Sequence, residues 1–333
     1  MKAGSSLRGV ALQVFSPLPP SGRGAGERAS GVGQADAVSR VRPPLPSPPA
    51  PLPQVGEGRS VRGCWWWRRA TVATLALFGL SLPAHAAPDD CRAGTLYLTF
   101  DTGSMSQAQL IADVLRRQRV RATFFLANEP TVRGDHSLDP GWAPYWKALA
   151  ADGHVFGSHT FDHVYLRSTR GGKVVMRPQF GPNAGHDIAM DQAAFCAELD
   201  RSAAALQRLA GVKMDPLWRA PGGRTAPQTL AWARQCGYRH VGWAQAGFLG
   251  DELDSDRYPN TALLTRALRD LRDGDIAMAH LGIWSRRDPW APAVLEPLIE
   301  GLRRKGFCFA TLREHPDYRE AKPAAAPARG GAS

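Results

Sequence analysis

The chain has few cysteines, and no two of them have the spacing of a zinc or redox motif. Five of the 333 residues are Cys and none forms a Cys-x-x-Cys pair, so neither a thiolate zinc site nor a dithiol redox function is expected. Four of them follow residue 87, an even number that permits two disulfides in an oxidising compartment. Cys91 precedes the first predicted strand and Cys308 opens the last. If these strands are neighbours, Cys91–Cys308 is the most natural bridge.

The chain also lacks a hydrophobic run of the roughly 20 residues needed to span a bilayer. The apolar run at residues 71–82 follows a basic segment and precedes Ala84-His85-Ala86. This pattern is typical of a secretory signal peptide, which we predict at residues 62–86, with cleavage after Ala86. A membrane anchor is the alternative. We therefore expect a periplasmic or extracellular protein without stable membrane insertion.

Large apolar residues are scarce at residues 1–61, which are rich in Pro, Gly, Ser and Ala. Such a segment cannot bury enough surface to offset the entropy of ordering, so we expect it to be disordered, or to be an over-called start with the true start near Val61. Residues 87–318 are predicted to form one domain, and residues 319–333 a disordered tail.

A strong excess of one charge is also absent from the predicted mature chain. The formal net charge is +11, but ten of the Lys and Arg and three of the Asp and Glu precede residue 87, which leaves about +4. This mildly basic surface does not indicate nucleic-acid binding. It suits an anionic cell-envelope polymer, and it is equally ordinary for a soluble protein.

From residue 95 the chain alternates short apolar runs with amphipathic segments. Repeated strand–helix units with short connections predict parallel strands and right-handed crossovers. About seven such units favour an α/β fold of the irregular (β/α) barrel type over an open sheet. The predicted strands are residues 96–100, 122–126, 155–158, 217–219, 240–243, 276–279 and 307–311. The predicted helices are residues 107–118, 142–151, 191–209, 227–236, 260–271 and 291–304. Residues 167–188, rich in Gly and Pro, are predicted to be a functional loop over the barrel mouth.

Polar residues follow these strands where each strand ends, on what would be one rim of the barrel. Two histidines four residues apart, His159 and His163, can face one side of a helical turn and share a Zn²⁺. Two unrelated surface histidines are the alternative interpretation. The other candidates at strand ends are Asp101, Arg219, Trp243 and His280.

This order of motifs resembles the polysaccharide deacetylases with a NodB-homology domain, carbohydrate esterase family 4, over roughly residues 96–312. The family's Thr-Phe-Asp-Asp-Gly corresponds to residues 99–103, and its His-Ser/Thr-x-x-His to residues 159–163. Its Arg-x-Pro-Tyr/Phe-Gly is met by residues 219–223, with Gly222 in place of the aromatic. Its Leu-x-Leu-x-His is met conservatively by residues 276–280. The fourth motif is loose, with Trp243 in place and Asp251 or Asp254 as the acidic partner.

The resemblance implies a distorted (β/α)7-type barrel that hydrolyses N-acetyl groups on a polysaccharide with a divalent metal, Zn²⁺ or Co²⁺. By this resemblance Asp101 is the general base, Arg219 its partner and His280 the general acid. His159 and His163 hold the metal, and the backbone N–H of Gly222 stabilises the oxyanion. The residues expected to wall the acetyl pocket are Trp243, Ile276 and Met278. The expected partner is an acetylated polysaccharide, and the expected state is a monomer.

Thr102 departs from the family pattern, in which an aspartate at this position completes the metal ligands. Three outcomes remain open: binding with water or a substitute ligand, weak binding with slow turnover, or a glycan-binding module that has lost catalysis. An O-acetyl esterase is a further alternative, because the same site cleaves esters. Trp284 and Trp290, near loops, are candidates to stack on sugar rings. The candidate substitute ligands are Asp135, His136, His186 and Asp187.

Overall fold

In the computed structural model, residues 91–170 and 173–319 are described. The predicted low-complexity segment and signal peptide, and all but the first residue of the predicted tail, lie outside the described residues. Within them, no helix is long and apolar enough to cross a membrane. In chain order the strands are β1 (Gly94–Asp101), β2 (Thr123–Leu126), β3 (Val155–Ser158), β4 (Val164–Arg170), β5 (Lys173–Pro178), β6 (Ile188–Met190), β7 (Leu217–Trp218), β8 (Arg239–His240), β9 (Ile276–His280) and β10 (Phe307–Phe309).

Seven of these strands form one curled parallel sheet, which confirms the predicted α/β barrel type. β1 is its centre, because its last residues pair with both β2 and β9 while its first three pair with β10. From β2 the sheet continues through β3 and β7 to β8. All pairings are parallel, so the carboxyl ends of the strands meet at one rim.

The barrel is distorted where β8 and β9 fail to pair directly. Residues 241–249 run between them: the Val241 N–H donates to the Trp218 carbonyl at 2.8 Å, and the Met278 N–H donates to the Gly247 carbonyl at 2.8 Å. Gly247 is required at this seam, since a Cβ there would lie 2.0 Å from the carbonyl oxygen of Ile276. An irregular segment thus replaces a ladder between two regular strands.

The six predicted helices are present, with ends shifted by one residue at most. Their spacing buries one face, as in α1, where Ile111, Val114 and Leu115 enter the core. α3 begins where the Asp191 carboxylate accepts the Ala194 N–H at 2.8 Å, a typical N-cap. The helices are α1 (Ala108–Arg117), α2 (Ala143–Ala151), α3 (Gln192–Ala210), α4 (Pro227–Gln235), α5 (Asn260–Asp270) and α6 (Trp290–Arg304).

The prediction of a loop at residues 167–188 is wrong for residues 167–170, 173–178 and 188, which belong to a small antiparallel sheet of β4, β5 and β6, whereas residues 179–187 are irregular as predicted. In β5 every second residue is buried, and Val174 and Met176 pack in a second cluster with Phe195 of α3. These three strands therefore form an ordered sheet with an apolar face of its own.

Two disulfides join distant parts of the domain. The predicted Cys91–Cys308 bridge is present, with Cα atoms 5.1 Å apart, because β1 and β10 are neighbours. The second links Cys196 in α3 to Cys236 after α4, with Cα atoms 5.8 Å apart.

Candidate active site

Asp101, the last residue of β1, forms a buried ion pair with Arg219. Its Oδ1 lies 2.9 Å from Nη1 of Arg219, and both side chains are almost wholly inaccessible. The same Nη1 donates to the Thr99 hydroxyl at 2.8 Å. Burial alone would raise the pKa of Asp101, but the Arg219 guanidinium and the nearby histidines hold it below its ordinary value. The carboxylate is therefore ionised and fixed in direction.

Arg219 also connects three parts of the barrel. Its guanidinium donates to the carbonyls of Val241, at 3.4 Å, and Gly242, at 3.2 Å, at the start of the irregular seam. It lies over the Phe125 ring, with 4.3 Å between Cζ and the ring centroid. These contacts fix its orientation toward β1.

The two histidines are close together but not on a helix, which corrects the predicted helical turn. They lie in the short connection between β3 and β4, where Thr160 has φ 59° and His163 has φ 50°. The Thr160 hydroxyl stabilises this turn by donating to the His159 carbonyl at 2.6 Å and accepting the Val164 N–H at 2.7 Å. The imidazole centroids are 4.9 Å apart.

The histidine pair fits a metal ion by its hydrogen bonding. Nδ1 of His159 lies 3.0 Å from the Arg219 carbonyl, so it carries the proton and leaves Nε2 as a free acceptor, 3.6 Å from Oδ2 of Asp101. Nδ1 of His163 is buried and has no hydrogen-bond partner. Burial lowers the pKa of His163 to about 4, against the opposing effect of Glu129, so its imidazole is neutral. Over residues 91–170 and 173–319, however, no three His, Cys, Asp or Glu side chains form a ready ligand set.

Thr102 faces a buried carboxylate that the sequence analysis missed. Its hydroxyl lies 2.5 Å from Oε1 of Glu129, and the Gly103 N–H donates to the same oxygen at 2.8 Å. Glu129 follows the carboxyl end of β2 by three residues, on the same rim as the other motifs. The sequence position of Glu129 could have identified it as a site residue. Polar residues had been assigned to the ends of the neighbouring predicted strands but not to the end of β2.

The four candidate substitute ligands have other surroundings. Asp135 accepts hydrogen bonds from the Thr131 hydroxyl and from the Trp142 indole at 3.0 Å. Asp187 pairs with Arg177 at 2.6 Å on the exposed face of the small sheet. His136, exposed beside Asp139, and His186, exposed before β6, are likewise surface residues.

His280, the last residue of β9, is paired with Asp251. Its Nδ1 lies 3.1 Å from Oδ2 of Asp251, and its backbone N–H donates to that oxygen at 2.6 Å. Burial alone would lower the pKa of His280, but Asp251, with two more distant carboxylates, raises it to about 10. His280 is therefore an imidazolium at neutral pH. Of the two acidic partners left open, Asp251 is the one in contact, while Asp254 accepts the N–H groups of its own turn.

An aromatic ring from β4 packs against Gly222, the glycine at the aromatic position of the third motif. Gly222 has φ +62°, and a Cβ on it would lie 2.6 Å from Cε1 of Tyr165. Tyr165 also contacts His163 edge-on, with centroids 5.1 Å apart. Tyr165 was not among the predicted site residues, since it lies in no motif and in no predicted strand.

The predicted pocket residues lie at different depths. Trp243 is near the ion pair, with its ring centroid 5.5 Å from Cζ of Arg219. Met278 is buried, and Ile276 belongs to the apolar cluster inside the barrel with Phe125 and Val241. The Ile276 side chain is thus core.

The two tryptophans that were candidates for sugar stacking differ in solvent exposure. Trp284 is 63% exposed and stays a candidate for stacking on a sugar, while Trp290 is 3% exposed and packs in the core at the start of α6.

Comparisons with known proteins find similar sequences. A family model described as "Polysaccharide deacetylase" matches residues 89–241. A peptidoglycan-N-acetylglucosamine deacetylase of Bacillus cereus is 24% identical over 218 residues, covering 65% of this chain and 85% of the relative. A chitooligosaccharide deacetylase of Azorhizobium caulinodans is 25% identical over 243 residues, covering 70% of this chain and all of the relative.

The fold has a counterpart among solved structures. The Xyl-CE4 domain of a multidomain xylanase from the hindgut metagenome of Trinervitermes trinervoides superposes with a TM-score of 0.50 at 19% identity, over 70% of this chain and 94% of that domain. The similarity to this domain supports the fold of the barrel only. The family model and the two curated relatives show what this chain is similar to: it resembles the polysaccharide deacetylases, with a variant first motif.

Proposed function

We propose that the protein removes N-acetyl groups from a cell-envelope or extracellular polysaccharide in a metal-dependent hydrolysis. The observation that carries this proposal is that Asp101, paired with Arg219, and His280, paired with Asp251, lie opposite each other at the ends of the neighbouring strands β1 and β9. Hydrolysis of an amide is accelerated by a general base for the attacking water and a general acid for the leaving amine. The curated relatives, named as deacetylases of peptidoglycan and chitooligosaccharides, support an acetylated glycan as substrate.

Asp101 would take a proton from the attacking water, since its carboxylate is ionised and aimed by Arg219. The backbone N–H of Gly222 would donate to the oxyanion that develops on the acetyl oxygen, a role that needs no side chain. His280 would then give its proton to the departing nitrogen, because an amine leaves poorly unless it is protonated. Asp251 positions His280 for this transfer.

His159 and His163 would hold the metal through nitrogen atoms that are neutral and outside other hydrogen bonds. Zn²⁺ or Co²⁺ suits imidazole ligands, and a bound ion supplies Lewis-acid polarisation of the acetyl carbonyl. We propose further that the mature protein acts in the periplasm or outside the cell, on the basis of the signal-peptide pattern at residues 62–86.

Asp101→Asn tests the proposal directly. Acetate release from N-acetylglucosamine oligomers should fall by about 100-fold or more, the scale of general base catalysis, while binding of the oligomers persists. Detection of the new free amine separates amide hydrolysis from ester hydrolysis, for which acetylated xylan is the parallel substrate.

Asp113→Asn removes the same negative charge from the exposed face of α1. It is the matched control and should retain full activity. If the unchanged protein binds oligomers but releases no acetate with any added metal, it is a binding module and the proposal is wrong.

A further inference from the structure

A small cavity lies beside His280, between the end of β9 and the start of α6. Its volume is about 50 Å³, several times what one water molecule needs, so it can hold a group the size of a carboxylate. Asp251 and His280 line it together with Arg286, Trp290 and Ala291. The last three residues have no part in the proposed hydrolysis.

Arg286 brings a buried positive charge to this cavity. The residue is 7% exposed, and its guanidinium donates to neutral acceptors, namely the carbonyls of Leu253 at 2.6 Å and Tyr258 at 3.1 Å and the Asn260 amide oxygen at 2.5 Å. Its Nε has no hydrogen-bond partner. Among the residues that the structure describes, no Asp or Glu oxygen lies within 4.0 Å of the guanidinium nitrogens. Because buried charges are ordinarily paired, this cation is incomplete without an anion.

Asn260 separates Arg286 from the acidic residue nearest to it in the sequence. The Asn260 Nδ2 donates to Oδ2 of Asp288 at 2.7 Å, while its Oδ1 accepts the hydrogen bond from Arg286, so the amide stands between the two charges. Of the other charged residues that line the cavity, Asp251 and His280 pair with each other at 3.1 Å. The positive charge of Arg286 is therefore the net charge of the cavity lining.

The start of α6 adds further hydrogen-bond donors. Trp290 is 3% exposed, and its indole Nε1 has no partner in the part of the chain that the structure describes. No side chain caps this 15-residue helix, and its first turn holds no acidic residue. The N–H groups of a first turn have no partner inside the helix, and the helix dipole favours an anion there. A buried cation, an unpartnered indole and a helix N-terminus thus line one cavity.

We propose that this cavity is a subsite for a carboxylate carried by the glycan, bound by Arg286, the indole N–H of Trp290 and the start of α6. The inference deepens the proposed function and rests on it for the glycan. His280 serves the leaving nitrogen, so the cavity beside it would receive a group on the same sugar or on the next one. The substrate class is then an acidic, N-acetylated polysaccharide.

Calorimetric titration with a matched pair of oligomers tests the proposal. One oligomer contains N-acetylglucosamine and N-acetylmuramic acid, whose lactyl group carries a carboxylate, and the other is its methyl ester. The acid should bind about 10-fold or more tightly than the ester, the scale of a hydrogen bond between charged groups. In Arg286→Gln this preference should fall to about 2-fold or less, because the cation is lost. Trp290→Phe keeps an aromatic ring and loses only the N–H, so the preference should fall by about 5-fold.

Arg287→Gln is the matched control, because it removes the same charge from the neighbouring, exposed residue, which pairs with Asp256. The preference for the acid should not change in this variant. If Arg286 only braces the turn at Leu253, its loss should weaken binding of acid and ester alike, so their ratio isolates the contact with the anion. Trp290→Phe decides the matter if Arg286→Gln does not fold. Equal affinities in the unchanged protein would overturn the proposal, as would a preference that survives in both variants.

Free acetate is the other source of a carboxylate, because the proposed reaction releases it. Acetate binding that depends on Arg286, with equal affinity for acid and ester, would assign the cavity to the released product and reject recognition of an acidic glycan. A preference for the acid without acetate release upholds the subsite and rejects the deacetylase. Acetate release with equal affinity for acid and ester upholds the deacetylase and rejects the subsite.

Discussion

At the scale of single residues, Asp251 determines the protonation state of His280. Its carboxylate is the largest contribution that raises the pKa of His280 to about 10, against the burial that would lower it. A raised pKa means that the imidazolium persists up to that value and is lost as the pH rises through it. The acid for the leaving amine is thus available across the whole physiological range.

Asp251→Asn should therefore move the alkaline limb of the pH profile. With the carboxylate removed, the pKa of His280 falls, and kcat/KM should decline at a pH at least about one unit lower than in the unchanged protein. The measurement is kcat/KM for an N-acetylglucosamine oligomer across the alkaline range.

Asp254→Asn is the matched control, because Asp254 caps a neighbouring turn and does not touch His280. An alkaline limb that stays in place in Asp251→Asn would show that His280 is not the acid.

The site residues that could be predicted from the sequence were those in motifs with fixed spacing. Asp101 and Arg219 are 118 positions apart, yet they meet because the strands that carry them end on one rim. Glu129 and Tyr165 belong to no such motif. Each contacts a residue at which this chain departs from the motifs, Glu129 beside Thr102 and Tyr165 beside Gly222, and only the packed structure brings these pairs together.

At the scale of elements, β4 contributes directly to the rim through Tyr165. Successive residues of a strand point to opposite faces, so Val164 and Leu166 enter the apolar cluster while Tyr165 faces Gly222 and His163. Residues 173–178 alternate in burial only in the packed sheet, because their sequence has three consecutive apolar residues and no alternation of polarity. The surrounding Gly and Pro favoured the loop interpretation, because periodicity over so short a segment is weak.

Gly222→Ala should destabilise the protein by more than its backbone conformation alone explains. The positive φ costs an L-residue about 1–2 kcal/mol, and the contact with the Tyr165 ring should add about 1–3 kcal/mol. The free energy of unfolding in urea measures the sum.

Gly211→Ala is the matched control. Gly211 has φ +68° at the end of α3, with nothing within 4 Å of the position of a Cβ, so only the backbone cost should appear. In a Tyr165→Ala background, the added cost of Gly222→Ala should fall to the same level. Equal costs for the two glycines in the unchanged background would contradict the packing described.

At the scale of the whole molecule, two disulfides close loops of very different length. Cys91–Cys308 spans 217 positions and joins the two ends of the described domain, while Cys196–Cys236 spans 40. The first could be anticipated from the sequence because adjacent strands begin beside both cysteines. The second could not, since nothing in the spacing places the end of α4 against the start of α3.

Replacing each disulfide by a pair of serines should lower the free energy of unfolding by different amounts. In the chain-entropy model, the loss is about 5 kcal/mol for Cys91–Cys308 and about 4 kcal/mol for Cys196–Cys236. Urea unfolding of both variants measures the order. The unchanged protein in strong reductant is the control and should be at least as unstable as either variant. A larger loss for the shorter loop would contradict the entropic account.

The contacts of Arg219 also determine the stage of folding at which the site becomes complete. Its guanidinium reaches the Asp101 carboxylate only after β1, β7 and the start of the irregular seam have assembled around it. A nascent or half-assembled chain thus holds no oriented base. If the polypeptide crosses a membrane before it folds, acetylated sugars on the side of synthesis never meet a competent catalyst, and hydrolysis is confined to the compartment in which the barrel is completed.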